Sequence, residues 1–168
     1  MPLSLSFRML APLRGAALAA LMVLPLCWSQ AATAQGLLGA PALPAKVESD
    51  LVKAELLAHA PQGATPGQPV WLGLQLAHAP EWHTYWKNPG DSGLPTELQW
   101  TLPPGVSAGD VAWPTPRKFP LGNLANYGYN GTVLLPVPLT ISPEFRGSHI
   151  DVELYAAWLV CRKECIPE

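Results

Sequence analysis

The sequence predicts an all-β domain, a sandwich of short strands, and three observations carry that expectation. Apolar and polar side chains alternate with period two over several runs. Turn signals separate those runs: Pro66-Gly67, Asn88-Pro89-Gly90-Asp91, Pro103-Pro104-Gly105 and Asn130-Gly131. No segment holds a helical period of useful length, in a chain of 168 residues with 20 Pro and 14 Gly. Several short strands at this spacing fit a sandwich better than a helical or α/β fold.

Taken in order, residues 1–34 read as an export leader. Arg8 and Arg14 give a short positive start, Gly15 to Leu26 is apolar, and Ala32-Thr33-Ala34 offers a small-x-small cleavage pattern before Gln35. An uncleaved membrane anchor fits less well, because the apolar run is short for a span. Lipidation at Cys27 also fits less well, because Leu26 is a poor small residue to precede it. Without Arg8 and Arg14, Lys plus Arg falls from 10 to 8, and the formal net charge moves from −2 to −4. No basic patch remains, which argues against nucleic acid as a partner. Met1, Met9 and Met22, all the methionines, leave with the leader, and no second apolar span follows.

Residues 35–49, rich in Ala, Pro and Gly, read as a linker, and residues 50–168 as the sandwich domain. Val70, Leu72, Leu74 and Leu76 share one strand face, and Leu98, Trp100 and Leu102 another. The clearest run places Ile150, Val152, Leu154, Ala156, Trp158 and Val160 on one face of a long strand, with Asp151, Glu153, Tyr155, Ala157, Leu159 and Cys161 on the other. Weaker strands are expected at Leu51–Ala58, Trp82–Lys87, Val111–Trp113 and Thr132–Ile141. Pro136 and Pro138 mark the last as an edge strand. Trp82, Trp86, Trp100, Trp113 and Trp158 are expected in the core. The chain stops three residues after Cys165 with no return strand in view, so the domain is expected to be incomplete at its C-terminus.

The sharpest chemical signal is Cys161-Arg162-Lys163-Glu164-Cys165. If Cys161 ends a strand and three residues turn, Cys165 lies opposite it at about the 4.5–5.5 Å Cα spacing of an antiparallel pair, within reach of a disulfide. So local a loop gives a structural disulfide only about 2 kcal/mol in the chain-entropy model. Arg162 and Lys163 favour a thiolate and so exchange reactivity, partly offset by Glu164. The spacing leaves three readings open: thiol–disulfide exchange, a structural staple, and a metal site. For the last, Cys161 and Cys165 suit copper(I), and His83 or His149 adds a nitrogen. The four histidines, His59, His78, His83 and His149, are otherwise scattered singly and read as surface or satisfied residues. Asp91-Ser92 sits in a turn rather than a nucleophile elbow. There is no phosphate loop, and no cofactor is expected.

Three segments resemble one family: Trp82-His83-Thr84-Tyr85-Trp86-Lys87-Asn88-Pro89-Gly90-Asp91-Ser92-Gly93-Leu94-Pro95, Tyr127-Gly128-Tyr129-Asn130-Gly131 with the following Val133 to Val137, and Leu159-Val160-Cys161 through Cys165 to Glu168. In that order they look like the N-terminal periplasmic domain of the DsbD family of protein-disulfide reductases, in its ScsB-like branch. The resemblance implies a periplasmic, immunoglobulin-like sandwich whose redox pair is Cys161 and Cys165. It implies electrons received from the membrane electron-transfer domain of a DsbD/ScsB-type reductase and passed to periplasmic thioredoxin-like partners. It further implies a cap loop over the pair, here Phe119 to Tyr129, with Phe119, Tyr127 and Tyr129 shielding the sulfurs and Tyr85 flanking them. The rival function is a copper-binding module using the same two thiols.

Overall fold

The computed structural model describes residues 3–10 and 44–168. Among these residues there are thirteen strands and no helix: β1 (Leu3–Leu10), β2 (Lys46–Glu48), β3 (Val52–His59), β4 (Val70–His78), β5 (His83–Gly90), β6 (Glu97–Thr101), β7 (Val106–Ala108), β8 (Arg117–Leu121), β9 (Leu124–Asn130), β10 (Thr132–Ile141), β11 (His149–Ala157), β12 (Leu159–Cys161) and β13 (Cys165–Pro167). They make three sheets, ordered β1-β11-β6, β2-β3-β4-β10-β7 and β13-β12-β5-β9-β8. The result is a mostly β fold with a curled, half-barrel sheet.

Period-two alternation builds the core, as expected. Val70, Leu72, Leu74 and Leu76 of β4 are buried, as are Leu135 and Val137 of β10 and Ile150, Val152, Leu154 and Ala156 of β11. Each large aliphatic side chain so buried contributes about 1.5–3 kcal/mol relative to exposure. Trp82 and Trp158 are buried, and Trp86, Trp100 and Trp113 pack partly buried against the same cluster.

Five expectations need correction. First, β10 is not an edge strand: it pairs with β4 on one side and β7 on the other. The prolines are tolerated because their main-chain groups face away from β4. The carbonyls of Pro136 and Pro138 accept from Ala112 N and Gly109 N, both at 2.8 Å, on the side where no N–H is needed. Second, the long strand from Ile150 to Cys161 is two strands. β11 ends at Ala157, and the chain changes sheets at Trp158. Third, a short return strand does follow Cys165: β13 pairs with β12 in register Cys161↔Cys165, Val160↔Ile166 and Leu159↔Pro167. Fourth, Val111–Trp113 is irregular. Val111 and Trp113 pack partly buried against the core, and Ala112 N donates to Pro136 O of β10 at 2.8 Å. Fifth, Phe119 to Tyr129 is no loop but a hairpin of β8 and β9 turning between Leu121 and Leu124. Polar residues and Gly128 hid its periodicity.

The linker expectation covers β2, whose charges explain its place on an edge. Lys46 stands opposite Glu55 and Glu48 opposite Lys53, with ion pairs of 3.0 and 3.4 Å. Surface pairs of this kind contribute about 0–1 kcal/mol each but discourage pairing with another chain. Most of the leader expectation lies outside the described residues. Leu3–Leu10, within it, runs antiparallel along β11, from Leu3↔Ala156 to Leu10↔His149.

Candidate active site

The third sheet, β13-β12-β5-β9-β8, carries the site on one face. Trp158 and Glu168 exchange both main-chain hydrogen bonds at 2.9 Å. The antiparallel alternation therefore leaves Cys161↔Cys165 at a non-hydrogen-bonded position, where side chains come closest. Their Cα atoms are 4.1 Å apart and the sulfurs are bonded as a disulfide. Arg162, Lys163 and Glu164 form the turn, closed by Arg162 N donating to Glu164 O at 3.0 Å.

The two sulfurs differ in access. Cys161 is 2 % exposed, whereas Cys165 is exposed at the sheet edge. The alternation puts Cys161 on the same strand face as Asp151 and Glu153. The change of sheets at Trp158 buries it instead, because the exposed face of β11 becomes the walled face of β12.

Across the sheet, His83 of β5 stands directly opposite Cys161. Its ring stacks on Phe119 of β8, with centroids 4.4 Å apart and planes at 9°, and meets Tyr85 edge-on at 5.4 Å. These three rings, both cysteines, Asn126 and the tip of the β8–β9 hairpin line one cavity of about 200 Å³. The Tyr85 hydroxyl donates to Cys165 Sγ at 3.8 Å, since a disulfide has no proton to give. Burial raises the Tyr85 pKa and keeps that hydroxyl protonated. Burial, helped by the nearby His78 ring, lowers the His83 pKa. Arg162 lies over the Trp82 ring at 5.1 Å and 3.5 Å from Glu81 at the cavity mouth.

The segment Gly90 to Pro95 acts as a clamp. Between Tyr85↔Gly128 and Gly90↔Asn126 the register shifts, so the expected turn at Asn88 to Asp91 is a bulge in β5. Asp91 Oδ2 accepts from Ala125 N at 2.7 Å, and Asn126 Oδ1 accepts from Ser92 N and Ser92 Oγ, both at 3.1 Å. Gly93, at φ +92°, lies under the Tyr85 ring, where an added Cβ would come within 2.3 Å of Tyr85 Cε1. Asp91 and Ser92 thus tie the bulge of β5 to β9.

Of the residues singled out in the sequence, the structure brings Cys161, Cys165, Tyr85 and Phe119 together. Tyr127 and Tyr129 lie on the other face of β9, because strand parity puts Asn126 and Gly128 towards the cavity. Tyr129 is buried and donates to Pro114 O at 2.8 Å. Its pKa is pushed up to about 12 by burial. Tyr127 pairs in register with Lys118 and is half-buried. Sequence reasoning named His83 only as a nitrogen donor in the copper reading, and it passed over Asn126. A signal for His83 existed in its parity with Tyr85, two residues on. Asn126 had none, since only the pairing of β8 and β9 shows where it points. Among the described residues no group of three or more His, Cys, Asp and Glu side chains is arranged to hold a metal ion.

The comparison with curated proteins finds no match. Among solved structures, the chain is similar to the N-terminal periplasmic domain of ScsB from Proteus mirabilis, with 25% identity over 73% of this chain and a TM-score of 0.53. The chain covers 47% of that structure's own length, so the likeness extends to about half of it. Residues 50–168 match the family described as thiol:disulfide interchange protein DsbD, N-terminal. A disulfide at a strand-end hairpin, in a periplasmic domain of this architecture, is consistent with thiol–disulfide exchange, and the chain belongs to the DsbD N-terminal domain family.

Proposed function

We propose that this domain is an electron relay in the periplasm, with Cys161 and Cys165 as its redox pair. It is reduced by the membrane electron-transfer part of a DsbD/ScsB-type reductase and reduces the disulfides of thioredoxin-like partners. The observation that carries this reading is the unequal access of the two sulfurs. An exposed Cys165 meets the partner while a buried Cys161 waits beside it, as attack and resolution through a mixed disulfide require. Phe119 and the β8–β9 tip form the cap. Leu121, 52 % exposed there, offers a partner apolar surface. In this reading the sheets are an immunoglobulin-like sandwich, supported by one continuous core shared by β4, β10 and β11.

Equilibration of the purified domain with a dithiol of known potential tests the relay. A working pair is expected above about −300 mV, and a structural staple below it. A value below that bound, with no transfer to any thioredoxin-like protein, would remove the relay reading. The same reading takes residues 1–34 as a cleaved leader. N-terminal sequencing of the exported protein is expected to begin at Gln35, and a chain retaining Met1 would contradict it.

A further inference from the structure

We propose that His83 is the proton acceptor for Cys161, a role that rests on the exchange reading above. Cys161 is almost fully enclosed, so solvent cannot readily take its proton. His83 stands directly opposite it in register, is only 9 % exposed, and lines the same cavity as both sulfurs. Its Nε2 is one of three buried side-chain polar atoms of the described residues without a hydrogen-bond partner, with Trp86 Nε1 and Thr96 Oγ1. Leaving such an atom unpaired is costly, and in the oxidised pair neither sulfur has a proton to offer it. Reduction supplies one: the Cys161 S–H becomes a donor in the same cavity as an acceptor that the Phe119 ring holds in place. The other ionisable groups around the imidazole suit the task less well. Glu81 and Arg162 pair with each other at the surface, Lys163 is exposed, the Tyr85 hydroxyl is engaged with Cys165, and His78 bonds Gly131 O and Thr84 Oγ1. Burial also lowers the His83 pKa, so the ring is a neutral base when a thiol needs one.

The step balances. The Cys165 thiolate attacks a partner disulfide, forming a mixed disulfide and releasing one partner thiolate. The Cys161 thiol gives its proton to His83 Nε2, and the Cys161 thiolate attacks Cys165 Sγ. The Cys161–Cys165 bond forms, the second partner thiolate leaves, and the imidazolium returns its proton to that thiolate or to solvent. Two electrons pass from the cysteine pair to the partner.

An aromatic disulfide that releases a coloured thiolate separates the two halves in stopped flow: the first release reports Cys165 and the second Cys161. His83→Phe, which keeps a ring against Phe119, is expected to leave the first phase unchanged and slow the second about a hundredfold near neutral pH, the low end of the range for losing one acid–base group. The second phase of the natural protein should level off between about pH 6 and 8, whereas that of His83→Phe should keep rising with pH. A merely structural loss would lower the rate equally at every pH. Equal second phases and equal pH profiles in the two proteins would overturn the inference while leaving the relay intact. No thiolate release from the natural protein would instead remove the relay itself. If His83→Phe does not fold, nitrogen NMR of the natural protein decides. The His83 Nε2 resonance is expected to move on chemical reduction of the pair, and an unmoved resonance would overturn the assignment.

Discussion

Cys165→Ser is expected to abolish electron transfer to a thioredoxin-like disulfide, whereas Cys161→Ser is expected to halt the reaction midway with the partner covalently attached. The difference follows from position alone. Cys165 is exposed beyond the Arg162-Lys163-Glu164 turn, and Cys161 is sealed between Cys165, the His83 ring and the β8–β9 hairpin. Exchange proceeds by attack of an accessible thiolate. The cations Arg162 and Lys163 and the Tyr85 hydroxyl donating to Cys165 Sγ all favour negative charge at that end of the pair. With Cys161 replaced, the attacker survives and the resolver is gone, so a one-to-one mixed disulfide accumulates. With Cys165 replaced, no partner sulfur reaches Cys161. Non-reducing electrophoresis followed by mass mapping reads both outcomes. An adduct through Cys161 in Cys165→Ser, in yield equal to that of Cys161→Ser, would reverse the assignment.

The strand faces were legible in the sequence because period-two burial is a local property. Val70 to Leu76 and Ile150 to Ala156 read from residue type alone. What escaped depended on neighbours distant in sequence. Pro136 and Pro138 signal an edge only if the partner strand needs their N–H, and β4 lies on the side where it does not. The face of Cys161 depended on a change of sheets at Trp158, which no alternation announces. The bonding pair itself was readable from its spacing. Its walls were only half readable: Tyr85 and Phe119 reach the cavity, but Tyr127 and Tyr129 have the wrong parity once β9 is seen as a strand. Asn126, which carries the Gly90–Gly93 clamp, owes its place to the β5 bulge. The residues nearest the sulfurs were therefore found where chemistry marks them, and missed where only register does.

That register also predicts the most damaging substitution away from the sulfurs, Gly128→Ala. At Gly128, β9 passes so close to β5 that an added Cβ would lie 2.0 Å from Thr84 O, 3.0 Å from Thr84 C and 3.1 Å from Tyr85 Cα. All three are backbone atoms of the ladder that holds Tyr85 and His83 beside the cysteines, so none can step aside without parting the two strands. Overpacking costs typically about 1–3 kcal/mol, and a contact on backbone should reach or exceed the top of that range. Gly73→Ala is the control. Its Cβ would meet Leu134 Cδ1 at 2.7 Å, but Leu134 is 41 % exposed and its side chain is free to swing away, so the expected cost is below about 1 kcal/mol. Urea unfolding of the two variants should therefore separate widely in midpoint. Gly128→Ala should also react faster with small disulfides, because loosening β9 from β5 draws Phe119 off His83 and opens the cavity over Cys161. A Gly128→Ala protein as stable and as slow to react as its parent would show that β5 and β9 do not meet there, and that the cavity wall is set elsewhere.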